Sequence, residues 1–196
     1  WPPLLQAIAA KVEALYGRRM VGDAEVTVTS GATEALFCAI HAVVRPGDEV
    51  IVLEPAYDSY EPAVELAGGR VVRVPLQRPH FGVDWQRVRD AMTSRTRLLI
   101  VNSPHNPTGA VFSDADLDAL GEVLRDSSAL VLADEVYEHI VFGGRRHAGL
   151  LGRPELAERS FVVSSFGKTF HCTGWKIGYC VAPPALTAEF RKVHQF

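Results

Sequence analysis

What this sequence has little of narrows its class before any motif is read. No apolar run approaches the roughly 18–20 residues that a membrane-crossing helix needs, and the mean hydropathy is only +0.07. An excess of one charge is missing too. Twenty Lys and Arg against 23 Asp and Glu leave a net charge of −3, and with a pI near 6.2 no basic surface for nucleic acid is expected. Cysteine is scarce: Cys38, Cys172 and Cys180 are odd in number, include no CxxC and sit at no metal-ligand spacing. No metal is therefore expected, and a reducing, cytoplasmic setting is. No basic segment followed by an apolar core opens the chain, so no secretory signal is visible. The 16 glycines and 12 prolines follow no short period, which removes collagen-like and low-complexity classes.

What is present, 196 residues of which 47% are hydrophobic and 22% charged, describes one soluble globular domain. The ends are unusual. The chain opens on Trp1 with a helical pattern close behind, and it stops at His194-Gln195-Phe196 in another. It reads as a piece of something longer.

Seven short, β-branched, mostly apolar segments predict strands at 26–29, 49–53, 70–74, 97–101, 129–133, 161–164 and 177–181. Several lack polar alternation, as strands covered on both faces do. Helical patterns fall between them at 33–44, 58–67, 84–92, 113–126 and 135–140, with Ser113 an N-cap followed by the first-turn acids Asp114 and Asp116. The alternation predicts an α/β domain, a mostly parallel seven-stranded sheet with helices on both faces. Ligands of such sheets collect beyond the carboxyl ends of the strands. Five predicted strands run there into polar, turn-forming sequence: Ser30-Gly31-Ala32-Thr33, Glu54-Pro55-Ala56-Tyr57, Asn102 to Pro107, Asp134-Glu135-Val136-Tyr137 and Ser164-Ser165-Phe166-Gly167-Lys168. The stretches 78–82 and 143–147 read as ordinary connections.

Familiar motifs fail on counting. Gly167-Lys168-Thr169 ends like a nucleotide P-loop, but position 162, where its first glycine would fall, is Val162. Glu135 to His139 does not place two histidines as a zinc-peptidase helix requires, and no dinucleotide fingerprint follows the first strand. Ser30 to Thr33 before a helix suits either a structural cap or an anion held at the helix N-terminus. Lys168 suggests another chemistry: a partly desolvated lysine beyond a strand end can act as a neutral amine and form a Schiff base with a carbonyl. Asp134, Tyr137, Asn106 and Tyr57 at the same sheet edge are the parts needed to hold pyridoxal phosphate.

These motifs, with Thr29 to Leu36, Glu54 to Tyr60, Asn102 to Gly109, Ser165 to Phe170 and Thr173 to Gly178 in this order, identify a resemblance that runs from end to end. The chain resembles the class I, fold type I pyridoxal-phosphate aminotransferases, most closely their kynurenine and methionine branch. The resemblance implies a three-layer α/β/α large domain over 1–196, with an N-terminal segment and a C-terminal small domain lying outside it. It implies that Lys168 carries the cofactor and then moves a proton between the substrate's Cα and the cofactor. It gives Asp134 the ring nitrogen, and Asn106 and Tyr137 the phenolic oxygen. Tyr57 would stack on the ring, and Asn106 would also meet substrate. Gly31, Ala32, Thr33, Ser165 and Lys176 would cradle the phosphate; at 176 many relatives have arginine. The implied reaction moves an amino group from an aromatic or sulfur-containing L-amino acid to a 2-oxo acid in a homodimer, with no nucleic-acid or membrane partner. A cysteine-conjugate β-lyase and a non-catalytic cofactor-sensing regulator are the alternatives on the same scaffold. Asn102 reads as a support for the Asn-Pro turn, His105, His139 and His171 as loop or surface histidines, Trp175 as packing, and Pro107 as the site of a cis bond.

Overall fold

The computed structural model describes residues 1–196. Its seven strands are β1 (Val26–Thr29), β2 (Glu49–Glu54), β3 (Arg70–Pro75), β4 (Thr96–Asn102), β5 (Leu130–Asp134), β6 (Ser160–Ser165) and β7 (Gly178–Val181). Each lies where the sequence predicts one. They form one sheet in the order β1-β7-β6-β5-β4-β2-β3. All are parallel except β7, which runs antiparallel to both neighbours, β1 and β6. Because β7 is reversed, its first residue, Gly178, lies at the same edge as the last residues of β1 and β6, pairing with Thr29 and Ser165.

Nine helices accompany the sheet: α1 (Pro2–Tyr16), α2 (Gly22–Glu25), α3 (Ala32–Val43), α4 (Tyr60–Leu66), α5 (Trp85–Ala91), α6 (Asp114–Leu124), α7 (Pro154–Ala157), α8 (Phe166–Thr169) and α9 (Pro184–His194). They split the core in two. Ile51, Leu53, Leu99, Val101 and Val131 point to one face, against Ile8 and Val12 of α1, Val88 of α5 and Leu117 and Leu120 of α6. The intervening residues Val50, Val52, Leu98, Ile100 and Leu132 point to the other, against Leu36 and Ile40 of α3, Val64 of α4 and Phe190 of α9. Both faces are covered, which is why these strands are apolar at consecutive positions. Ser113 caps α6 as expected: its Oγ accepts from the Asp116 amide while the Asp116 carboxylate accepts from the Ser113 N–H.

One predicted helix is absent. Residues 135–140 form successive tight turns, with Glu138 N–H donating to the Glu135 carbonyl and Ile140 N–H to that of Tyr137. The segment's two glutamates are buried and bonded to other elements, which draws the backbone away from a helical path. No helix of the chain is long and apolar enough to cross a membrane.

Candidate active site

The carboxyl edge of the sheet gathers the expected residues into one cleft of about 210 Å³, lined by Gly31, Ala32, Thr33, Tyr57, Asn106, Asp134, Tyr137, Ser165, Lys168 and Lys176. Every candidate cofactor residue of the sequence analysis is in its wall. Leu36, Val136, Gly167, Thr173 and Ile177, which are not among the expected site residues, complete the wall. They are small or apolar residues with no chemical signature of their own.

At one end of the cleft is a cradle of donors. The chain leaves β1, turns at Gly31 with φ +82°, and starts α3, whose first N–H groups have no partner within the helix. A side chain at Gly31 would meet Nζ and Cε of Lys176 at 3.3 Å, and one at Gly178 would meet the Ala32 nitrogen at 2.6 Å. Both glycines thus let β7 and the Lys176 ammonium close on the N-terminus of a twelve-residue helix. Backbone donors, a helix dipole and a cation converge there, a donor set suited to a phosphate. Lys176 is itself in the left-handed region, φ 52°.

Asp134 is the only carboxylate in the wall. It is buried, with Oδ2 accepting from the Tyr60 hydroxyl at 2.6 Å and Oδ1 from the Val136 N–H at 3.3 Å. Burial pushes its carboxyl up to about 6, opposed by those two donors and reinforced by the neighbouring charge of Glu135. A raised carboxyl of this kind is satisfied by a cationic partner, and the pyridinium nitrogen of pyridoxal phosphate has that chemistry. Nothing local in the sequence marks Tyr60 as this partner. Its spacing of three from Tyr57 places the two rings edge to face at 5.6 Å.

Asn102 supports the turn, as expected. Its amide donates to the Asp134 carbonyl at 2.7 Å, and its Oδ1 accepts from the Asn106 N–H at 2.6 Å. The Asn106-Pro107 bond is cis. His139 and His171 are exposed, but His105 is buried, with Nδ1 at 2.8 Å from the Thr108 hydroxyl. Its ring is also bonded to the Pro55 backbone, and it is neither a surface histidine nor a wall of the cleft. Trp175 is 75% exposed rather than packed. Lys168, on the one-turn helix α8, is exposed rather than partly desolvated; its Nζ is 5.7 Å from the centre of the Tyr137 ring.

The family model for aminotransferase class I and II matches residues 2–196. The chain belongs to this family. It is 55% identical over 98% of its length to methionine aminotransferase of Escherichia coli, covering 50% of that protein. A solved structure of YbdL from the same organism, identified with a methionine aminotransferase function, superposes with a TM-score of 0.96, 98% of this chain covering 51% of that one. It is 47% identical over 99% of its length to a probable N-succinyldiaminopimelate aminotransferase of Mycobacterium tuberculosis, covering 49% of it. With kynurenine–oxoglutarate transaminase 1 of Mus musculus it shares 38% identity over its full length, again covering 49%. The chain thus spans about half the length of the curated relatives it matches. Class I aminotransferases use pyridoxal 5'-phosphate.

Proposed function

We propose that this chain is the large, cofactor-binding domain of a pyridoxal-phosphate aminotransferase, which moves an amino group from an aromatic or sulfur-containing L-amino acid to a 2-oxo acid. The observation that carries the reading is the cleft itself: one buried carboxylate, two lysines, a phosphate-suited cradle and two aromatic hydroxyls drawn from five strand ends. The relatives named for methionine and kynurenine support the donor class. The relative named for N-succinyldiaminopimelate points to an acidic donor instead, so a donor screen decides between them. Membership of the family supports a homodimer, and three unpaired cysteines a cytoplasmic setting.

When bound, pyridoxal phosphate supplies a cationic ring into which the electrons of a broken Cα–H bond can spread. The protein's residues do the rest. Asp134 holds a proton at the ring nitrogen, and that ion pair favours the ionised carboxyl that burial alone disfavours. Ala32 and Thr33 N–H groups, Ser165 and Lys176 hold the phosphate; lysine does so as a point charge rather than a bidentate fork. Asn106 and Tyr137 would hydrogen-bond the phenolic oxygen, and Tyr57 would lie against the ring. The Lys168 amine would take the proton from the substrate's Cα and deliver it to the carbon two atoms along, on the far side of the intervening nitrogen.

The test is to add pyridoxal phosphate to the full-length protein, follow its visible absorbance, and reduce with borohydride. Wild type traps the cofactor covalently and Lys168→Ala does not. A variant that still traps it would remove Lys168 from its role. Release of pyruvate and ammonia from a cysteine conjugate, without a new amino acid, would favour the β-lyase instead.

A further inference from the structure

The reaction residues above leave one buried polar cluster unused. Glu138 is almost fully buried, and its carboxylate accepts hydrogen bonds from three side chains. Lys11 and Tyr16 reach it from α1, Tyr16 at 3.0 Å, and Ser164 reaches it from β6. Lys11 also donates to the Tyr179 hydroxyl of β7 at 2.7 Å. The titratable groups facing Glu138 are therefore Lys11 and Tyr16 of α1, Tyr179 of β7, its chain neighbour His139, and His147 from the loop that also anchors Glu135. Burial opposes its ionisation, but the Lys11 ammonium, the Ser164 hydroxyl and His139 together outweigh burial and hold the carboxyl below its ordinary range.

Its connections matter more than its charge. Glu138 follows Tyr137 in a segment of tight turns with no helical bonds to stiffen it. On the other side of Tyr137, Glu135 is also anchored, by His147 at 3.0 Å and the Leu150 N–H at 2.8 Å. Tyr137 lines the cleft and the two flanking acids do not, so the tyrosine projects between two fixed points. Glu138 has a second hold: Ser164 precedes Ser165 and the one-turn helix that carries Lys168. A single carboxylate thus ties the Tyr137 turn and the Lys168 strand end to one helix.

We propose that Glu138 is a positioning residue for the reaction centre, bracing α1 against both the Tyr137 turn and the β6 end so that Tyr137 and Lys168 keep their separation across the cleft. This rests on the aminotransferase reading. Charge-assisted bonds to a buried carboxylate hold geometry more tightly than neutral ones, and a misplacement of about 1 Å originating away from the reacting atoms can slow chemistry by about a hundredfold.

The experiment uses the full-length holoenzyme with Glu138→Gln, Ser164→Ala and Tyr16→Phe. The readouts are melting temperature, kcat and KM, and the pH midpoint of the bound cofactor's visible absorbance. Glu138→Gln should lower kcat about tenfold with little change in KM and move the pH midpoint by about half a unit. Ser164→Ala, which cuts only the β6 link, should move both in the same direction by less. A melting temperature that falls while kcat and the midpoint stay at wild type in Glu138→Gln and Ser164→Ala would make the cluster a stabilising feature only and overturn the proposal. Should Glu138→Gln fail to fold, Ser164→Ala and Tyr16→Phe decide by the same criteria. Loss of covalent cofactor trapping by wild type would instead overturn the aminotransferase reading.

Discussion

Two buried carboxylates sit at opposite edges of the same sheet and are treated in opposite ways. At the amino edge, Glu49 at the start of β2 accepts from Arg70 at 2.7 Å, from Arg95 at 2.8 Å and from the Thr93 hydroxyl at 2.8 Å. Those donors hold its carboxyl down at about 2. At the carboxyl edge, Asp134 has no cation among its hydrogen-bond partners, only a phenol and a backbone N–H, and burial holds it up at about 6. Both side chains expose almost no surface, but Asp134 lies deep in the fold whereas Glu49 sits at the rim, covered by the largely exposed Arg70 and Arg95. The difference lies in depth and in partners: one acid is shallow and satisfied by cations within the fold, and the other is deep and waits for a positive charge that the fold does not supply.

The largest test of this contrast is Asp134→Asn in the full-length enzyme. Activity should fall about a thousandfold, while the protein without cofactor should become more stable at neutral pH. The sign follows from the shift: a folded carboxyl raised above its ordinary 3.8 costs the fold nothing below 3.8, and costs it progressively as pH rises through about 6. The gain at pH 7 is at most about 3 kcal/mol, from 1.4 kcal/mol per pH unit, read by urea unfolding at stepped pH. A loss of stability would make Asp134 a structural acid like Glu49.

Glu49→Gln should do the reverse: activity per folded molecule unchanged, and stability lower by about 1–3 kcal/mol at pH 7. A folded carboxyl depressed from 4.5 to about 2 contributes stability fully above 4.5 and loses it as pH falls towards 2. The gap between wild type and variant should close over that window.

A smaller effect belongs to Tyr60→Phe. Removing the hydroxyl takes away a bond that favours the ionised Asp134, so the acid limb of the kcat/KM profile should move to higher pH and activity should drop about threefold to tenfold. An unmoved acid limb would mean that Asp134 does not set it.

Much of the fold was legible because burial on both faces leaves a mark at every position of a strand: Val50 to Leu53 and Leu98 to Val101 cannot alternate with polar residues when both sides are core. The site was legible because all of its expected residues but Lys176 sit at the carboxyl end of such a strand or within four positions of it, and Lys176 lies two positions before β7. Tyr60 was not, since a tyrosine near a helix start looks the same whether it packs or holds an aspartate 74 positions away. The turn at 135–140 was misread as helix for a related reason. Its local pattern suits a helix, and only Lys11, Tyr16, Ser164, His147 and Leu150, all distant in sequence, pull Glu135 and Glu138 out of one.

By itself the sequence determined the strand and helix order, the edge at which polar residues collect, and the family, because these depend on hydrophobic period and on residues close together along the chain. Only the tertiary structure decided which acid is neutralised and which is left wanting a cation, and which buried glutamate braces the reaction centre. Those properties depend on desolvation and on partners brought from far along the chain, and neither exists until the two layers of helices close over the sheet.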